Sequence, residues 1–310
     1  RDGRGEGGDG MRRALIATQL FFAALTALIV HNHGGSFAES RMFLAAIALI
    51  ESLYLARIYR EPQRCAALSV ITSLVLMLLF AWELAAVNLK IANPILLPPP
   101  GEVFEVFADC RALMFKGVFS SLALLGFSMS TALVSGVILG LAVGLNRFLR
   151  DIFLPIAKVL SPVPPIIYSP YAVAVMPTFR GAAALIIVLG IFWPTFMGII
   201  NRASAMDRRI ADSARALGLS PAEMIFHVML PYLFPGIMSG LHVTLSTSFL
   251  LLTMAEMMGA SSGLGYFIKN YSDYANYTNV IAGIILIGIV VSLLNALLSF
   301  AEKRLVKWKE

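Results

Sequence analysis

The chain has 310 residues, 58% of them hydrophobic and 14% charged, with a mean hydropathy of +0.81 and a net charge of +6. Soluble domains carry about 25% charged residues, so this composition excludes an ordinary soluble domain, and its continuous apolar runs select helices over an alternating β-barrel. The basic excess does not require a nucleic-acid partner: with the N-terminus inside, the apolar runs leave 18 Lys and Arg on the inner side and 6 on the outer, which is the positive-inside pattern.

The fold expected is an all-α polytopic membrane protein with about eight transmembrane helices, at 14–30, 41–59, 66–87, 117–145, 151–178, 181–201, 232–258 and 280–301. Residues 1–13, which open RDGRGEGGDG, read as a flexible cytoplasmic tail. Met11, Arg12, Arg13 and the apolar run behind them also fit a signal peptide with Ser36-Phe37-Ala38 at its cleavage site. The run is long for that purpose, and an uncleaved first span is expected. His31 and His33 form an H-x-H in the first outer loop, where a polar turn explains them better than a metal, and no metal site is expected. Cys65 and Cys110 fall on opposite sides of the membrane and do not pair.

Residues 14–87 form an N-terminal group of membrane helices, with Glu51, Tyr54, Trp82 and Glu83 among them; Trp82 reads as an interfacial anchor. An external segment follows at 88–116. Pro98, Pro99 and Pro100 stop any helix and Gly101 frees the turn. Val103, Phe104, Val106 and Phe107, set among Glu102, Glu105 and Asp109, then predict a short amphipathic helix on the outer face.

The core of the chain is 117–301. Gly136, Gly140 and Gly144, at i, i+4 and i+8, predict a close helix contact. SPVPPIIYSP at 161–170 breaks the next span. Its Tyr168 and Ser169 are candidate pathway residues, a buried kink being the equal alternative. Thr244 and Ser248 continue a stripe begun by Gly236 and Gly240, and they join the candidate pathway set together with Glu256. An ionisable group so near lipid faces water or a protein partner, so a structural pairing stands beside the pathway role for Glu256.

Between the sixth and seventh spans, 202–231 is a charged cytoplasmic loop. Ile210, Ala214 and Leu217 give a first short helix one apolar face, and Gly218 follows where a left-handed residue would end it. Ser220, Pro221 and Glu223 then supply the N-cap, N1 proline and N3 glutamate of a second helix, which Leu230-Pro231 closes before the next span. A cytoplasmic tail at 302–310 ends the chain.

The same loop resembles the EAA loop of ABC-importer permeases, whose pattern is Glu-Ala-Ala, three residues, Gly, nine residues, Ile, one residue, Leu-Pro. Asp212-Ser213-Ala214, Gly218, Val228 and Leu230-Pro231 keep every spacing, with Asp for Glu, Ser for Ala and Val for Ile. WEL (82–84), LLPPPGEV (96–103), GLGYFI (263–268) and EKRLVKW (302–308) extend the resemblance over 82–308, toward the nitrate, sulfonate, taurine and bicarbonate branch. The resemblance implies a type I ABC importer permease core in the bacterial inner membrane, with both termini cytoplasmic. Ile210, Asp212, Ala214, Arg215, Leu217, Gly218, Leu230 and Pro231 would then couple it to an ATPase. Implied partners are two copies of an ABC ATPase subunit, a second copy of the permease, and an external or lipid-anchored solute-binding protein.

No Gly-Lys dipeptide occurs, so the chain has no P-loop, no cofactor of its own is expected, and ATP with Mg would be used by the partner. The chain is therefore expected to be no enzyme and to have no catalytic residues. An intramembrane enzyme would need a convergent acid and base. His242 and Glu256 lie about 21 Å apart along a continuous helix at 1.5 Å per residue. An ion-coupled secondary transporter would show internal repeats and buried carboxylates. The substrate stays open between a small anion and an organic solute such as a pyrimidine precursor or aromatic acid, because no Arg or Lys lies mid-span.

Overall fold

The computed structural model describes residues 5–32, 40–220 and 223–305, and every regular element among them is helical. Two compact units emerge, one from Arg1–Met114 with Asn270–Ile284 and the other from Phe115–Lys269 with Ile285–Glu310.

In the first unit, α1 (Gly5–Asn32), α2 (Arg41–Arg60) and α3 (Cys65–Glu83) enclose Leu25, Ile29, Phe43, Ile47 and Leu76. Several of their buried polar groups find partners, although one carboxylate oxygen each of Glu51 and Glu83 has none among the described residues. The Thr18 hydroxyl donates to the Ser69 carbonyl at 3.1 Å, the Tyr54 and Ser69 hydroxyls lie 2.8 Å apart, and the Asn32 amide donates to Glu83 at 2.8 Å. Helix α1 takes in residues 5–13, which composition had placed in a flexible tail. Once a span nucleates a helix, each further residue adds a hydrogen bond, which offsets the low propensity of the glycines. His33 lies outside the described residues, and among those described no cluster suited to a metal occurs. Both cysteines are free.

The expected amphipathic helix is α4 (Pro100–Asp109), but it begins within the proline run: Pro100 serves as its first residue, where no N–H is needed, and Gly101, expected in a turn, is helical. Its apolar stripe is buried against α2, with Phe104 stacked on Phe43 at 5.1 Å and Arg41 paired with Glu105 at 2.9 Å.

The second unit draws on α5 (Arg111–Leu145), α6 (Arg147–Leu160), α7 (Ser169–Val175), α8 (Phe179–Ser204), α9 (Arg208–Ala216), α10 (Leu230–Met257), α11 (Leu264–Asp273) and α12 (Tyr277–Leu305). Its core gathers Leu125, Ala132, Ile186, Ile187, Leu252 and Leu264. The α5 glycines pack as their spacing predicts. A β-carbon at Gly136, Gly140 or Gly144 would come within 3.1, 2.8 or 2.8 Å of Thr195, Ile199 or Ala203 on α8. Seven helices among the described residues are long and apolar enough to cross a bilayer, and the pair formed by α6 and the segment Pro165–Val175 makes an eighth if taken as one span. That pair bends by 88° at the proline cluster, so 151–178 is not a straight span but a broken or re-entrant one. The break is packed: a β-carbon at Gly190 of α8 would overlap Pro165 of the break and Leu251 of α10.

Candidate functional site

The loop between α8 and α10 is a capped elbow. Asp207 begins α9 by accepting the Arg209 N–H at 2.9 Å, a cap the sequence reading missed although Asp before a short helix is its usual sign. Gly218 ends it with φ +75°, and the Leu219 N–H reaches back to the Ala214 carbonyl at 3.3 Å, as in a Schellman turn. Nothing lies within 4 Å of a β-carbon built on Gly218, so the glycine is required by backbone conformation alone. The capping box then forms. Glu223 accepts the Ser220 N–H at 2.8 Å and the Ser220 hydroxyl at 2.7 Å, while the Glu223 N–H donates to the Ser220 oxygen at 3.3 Å.

The second helix does not stop at Leu230-Pro231. Met224–Met229 is a π-turn running straight into α10, closed by the Leu230 N–H on the Ile225 carbonyl. The widened turn accommodates the Pro231 ring, and helix and span become one rod. Ile210, Ala214, Leu217, Leu219 and Val228 surround an open depression of about 390 Å³. Ala214 forms its base at 4% exposure, while Ile210 and Leu217 stand out at 38% and 80%. Asp212 is exposed on α9, and the side chains of Arg208 and Arg215 lie outside the described residues. The depression offers an apolar patch on a rigid, capped base, which is what a docking partner needs.

Above the elbow, a cavity of about 200 Å³ lies among α5, α8 and α10. Its wall is apolar apart from three threonines, Thr195, Thr244 and Thr247, and one charge, Arg202. Thr244 and Thr247 donate to the carbonyls of Gly240 and Val243 at 3.1 and 2.9 Å, so their protons are already used. Arg202, at the end of α8, folds across to α10. A β-carbon at Gly236 would sit 3.0 Å from Arg202 Nη1, so the glycine notch is what lets the guanidinium lie there. Among the described residues it pairs with no carboxylate. Sequence reading passed over Arg202 because it is not mid-span; the signal was a long cation one crossing away from glycines four residues apart.

Of the five candidate pathway residues, Thr244 alone lines this cavity. Ser248 is buried and donates to the Thr244 carbonyl, Ser169 is buried at the start of α7, and Tyr168 is half-buried beside it. Glu256 is 1% exposed at the far end of α10, where it forms a clasp. Ser121 of α5 donates to Oε1 at 2.6 Å, the Gly265 N–H donates to Oε2 at 2.8 Å, and the Ser121 oxygen accepts the Leu264 N–H at 2.8 Å. Gly263, at φ +134°, lies directly against the carboxylate. The clasp ties α5, α10 and the start of α11 together, which is the structural pairing considered for this residue.

Comparison with known proteins bears on this arrangement. Residues 132–310 match the family model described as binding-protein-dependent transport system inner membrane component. The chain is 30% identical to the taurine transport system permease protein TauC of Escherichia coli, over 85% of this chain and 98% of that one. It is 29% identical to the nitrate import permease protein NrtB of a Synechocystis species, covering 61% and 69% of the two chains. With a putative aliphatic sulfonates transport permease protein, SsuC of Bacillus subtilis, it shares 28% identity over 74% and 83%. In fold, it superposes on the inward-facing MetNI methionine ABC transporter with a TM-score of 0.54, over 64% of this chain and 97% of that one, at 22% identity.

Proposed function

The chain belongs to the binding-protein-dependent transport system inner membrane components, and from that premise we propose that it forms half of the passage of an ATP-driven importer for a small oxyanion. As a type I ABC importer permease it is a transport subunit and a multi-pass membrane protein. The reading of its solute is carried by one observation, the Arg202 guanidinium, without a carboxylate partner among the described residues, as the one charge lining a cavity between α8 and α10 that is otherwise apolar but for three threonines. A planar fork of N–H donors suits a sulfonate or nitrate group, and the relatives compared above are named for taurine, nitrate and aliphatic sulfonates. Neither the ion-coupled mechanism nor a pyrimidine or aromatic solute is favoured by any comparable feature.

The elbow is the contact with a separate ATPase, which supplies ATP hydrolysis and its Mg. Ile210 and Leu217 would fill a cleft of that subunit, while Gly218 and the Ser220–Glu223 box fix the angle of presentation. The complex would hold two ATPases and two copies of this chain, with an external binding protein delivering the solute. Both termini and the elbow would be cytoplasmic in the inner membrane, in keeping with the charge asymmetry of the loops.

Reconstitution with the ATPase and binding protein tests the reading. Uptake of labelled taurine or nitrate should require ATP, and Arg202→Gln should lower it at least about tenfold, the scale of one lost charge-assisted hydrogen bond. Full anion uptake by Arg202→Gln would overturn the assigned role of Arg202, and failure of any ATPase to copurify would overturn the importer reading.

A further inference from the structure

At the end of α10 opposite the elbow, a second recess of about 360 Å³ opens among α5, the start of α8 and the loop following α10. Its polar lining is Ser120, Thr178, Arg180, Ser261 and Ser262, and no carboxylate lines it. The inventory of protons is one-sided. The Thr178 oxygen already accepts the Gly181 N–H at 3.0 Å, so its own proton is left to donate. Ser120 and Ser262 share a single hydrogen bond at 2.8 Å, which leaves one of their two protons over. Ser261 is exposed, with its hydroxyl unengaged among the described residues. Arg180 adds a fork of N–H donors and a permanent charge, without an ion pair among the described residues. Its field reaches Glu256, but that carboxylate is closed off by Ser121 and Gly265 and does not line the recess.

A recess with several free donors, one cation and no acid is complementary to an oxyanion and repels a cation. We propose that it is the receiving site for the solute, in which Arg180, Thr178 and the serine hydroxyls hold a nitrate-like or sulfonate-like anion on the face opposite the ATPase elbow. The proposal rests on the importer reading and deepens it. Arg180 and Arg202 stand at the two ends of α8, about 33 Å apart along its axis at 1.5 Å per residue, close to the thickness of a bilayer core. An anion handed from one guanidinium to the other would cross the apolar stretch without a deep charge to trap it.

The test uses Ser261→Cys in a Cys65→Ser, Cys110→Ser background, with the full chain in phosphatidylcholine vesicles. Two methanethiosulfonate reagents are compared, one bearing a sulfonate and one a trimethylammonium, each rate normalised to that of free cysteine. The sulfonate reagent should label about tenfold faster, as a neighbouring unit charge at a wet surface would produce. Arg180→Gln should abolish the preference, Lys269→Gln should keep it, and methanesulfonate should protect where tetramethylammonium does not. Equal normalised rates, or a preference surviving Arg180→Gln, would overturn the site. So would labelling indifferent to methanesulfonate, the outcome expected if a lipid phosphate occupies the recess. Labelling needs neither ATP nor partners, so its failure leaves the importer reading standing. Failed ATPase copurification with the preference intact would instead leave an anion site without its importer.

Discussion

Each end of α10 carries a glutamate close to a positive-φ glycine, and the two turns solve opposite problems. At the elbow, Gly218 has open space where a side chain would go, and the glutamate of its capping box, Glu223, faces solvent. At the clasp, a β-carbon on Gly263 would overlap the carboxylate of Glu256, itself 1% exposed with both oxygens engaged. The elbow uses glycine for direction alone, to aim an apolar patch outward. The clasp uses it for direction and for room, so that a charge can be closed inside the fold. One end leaves an apolar patch open on a capped base, and the other holds three helices in place.

Substitutions at the clasp should therefore do the most damage. Glu256→Ala leaves the Ser121 hydroxyl and the Gly265 N–H without their acceptor in a buried site, at about 1–3 kcal/mol each. Gly263→Asn and Gly263→Ala force the carboxylate out of its place as well as straining the turn. All three should lower the thermal unfolding temperature of the purified permease and its yield in the membrane. A Gly263→Asn protein with unchanged unfolding temperature would erase the distinction drawn between the two turns.

At the elbow the same asparagine should be tolerated. Asn enters the left-handed region at little cost, whereas a β-branched residue is a true outlier there, beyond the about 1–2 kcal/mol that any β-carbon pays. Gly218→Val should insert normally yet lose ATPase copurification and uptake, while Gly218→Asn keeps both. Equal loss in the two variants would mean that space, not conformation, matters at Gly218. Ala214 belongs to a different class from Leu217. Being buried, it would pass a charge in Ala214→Asp into the elbow's own packing, so that variant should cost stability as well as docking.

Much of this was legible in the sequence because it is local. Apolar runs gave the spans, glycines at i+4 gave the contact between α5 and α8, and Gly218 with Ser220 and Glu223 spelled out the elbow's caps. What escaped depended on contacts between distant segments. Pro231 read as a helix stop because sequence shows a missing N–H and not the π-turn that absorbs it. For Glu256 a pathway role and a structural pairing stood side by side, because the donors that enclose it come from α5 and from the backbone of 264–265, which no spacing announces. Arg202 and Arg180 read as topology markers at the ends of a span. The approach of Arg202 to Gly236, and the recess that Arg180 lines together with three serines, follow from helix packing and not from position in the chain.

The smallest effect should come from Glu223, and its sign is fixed by the capping box. The Ser220 hydroxyl, and next the Ser220 backbone N–H, hold the Glu223 carboxyl below its ordinary 4.5, with a minor contribution from the charge of His227. A folded-state value that is depressed favours the capped elbow above the unfolded value, and that stabilisation is lost as pH falls through the folded one. The cap should thus be intact at neutral pH and loosen only below 4.5. Because the side chain is solvent-exposed, water takes over much of what the box supplies, and transport at neutral pH should barely change when it is weakened. Hydrogen exchange read at the Ser220 and Glu223 amides resolves it: protection should fall in acid in the native chain. Glu223→Gln accepts the same Ser220 N–H without titrating, so its protection should stay level across that range. If the Gln variant opens in acid as the native chain does, the loosening belongs to some other group and the capping box is not what sets the elbow's angle. A level profile in the variant would assign the acid sensitivity to Glu223. It would also mark the elbow as the end of α10 whose geometry water can reach.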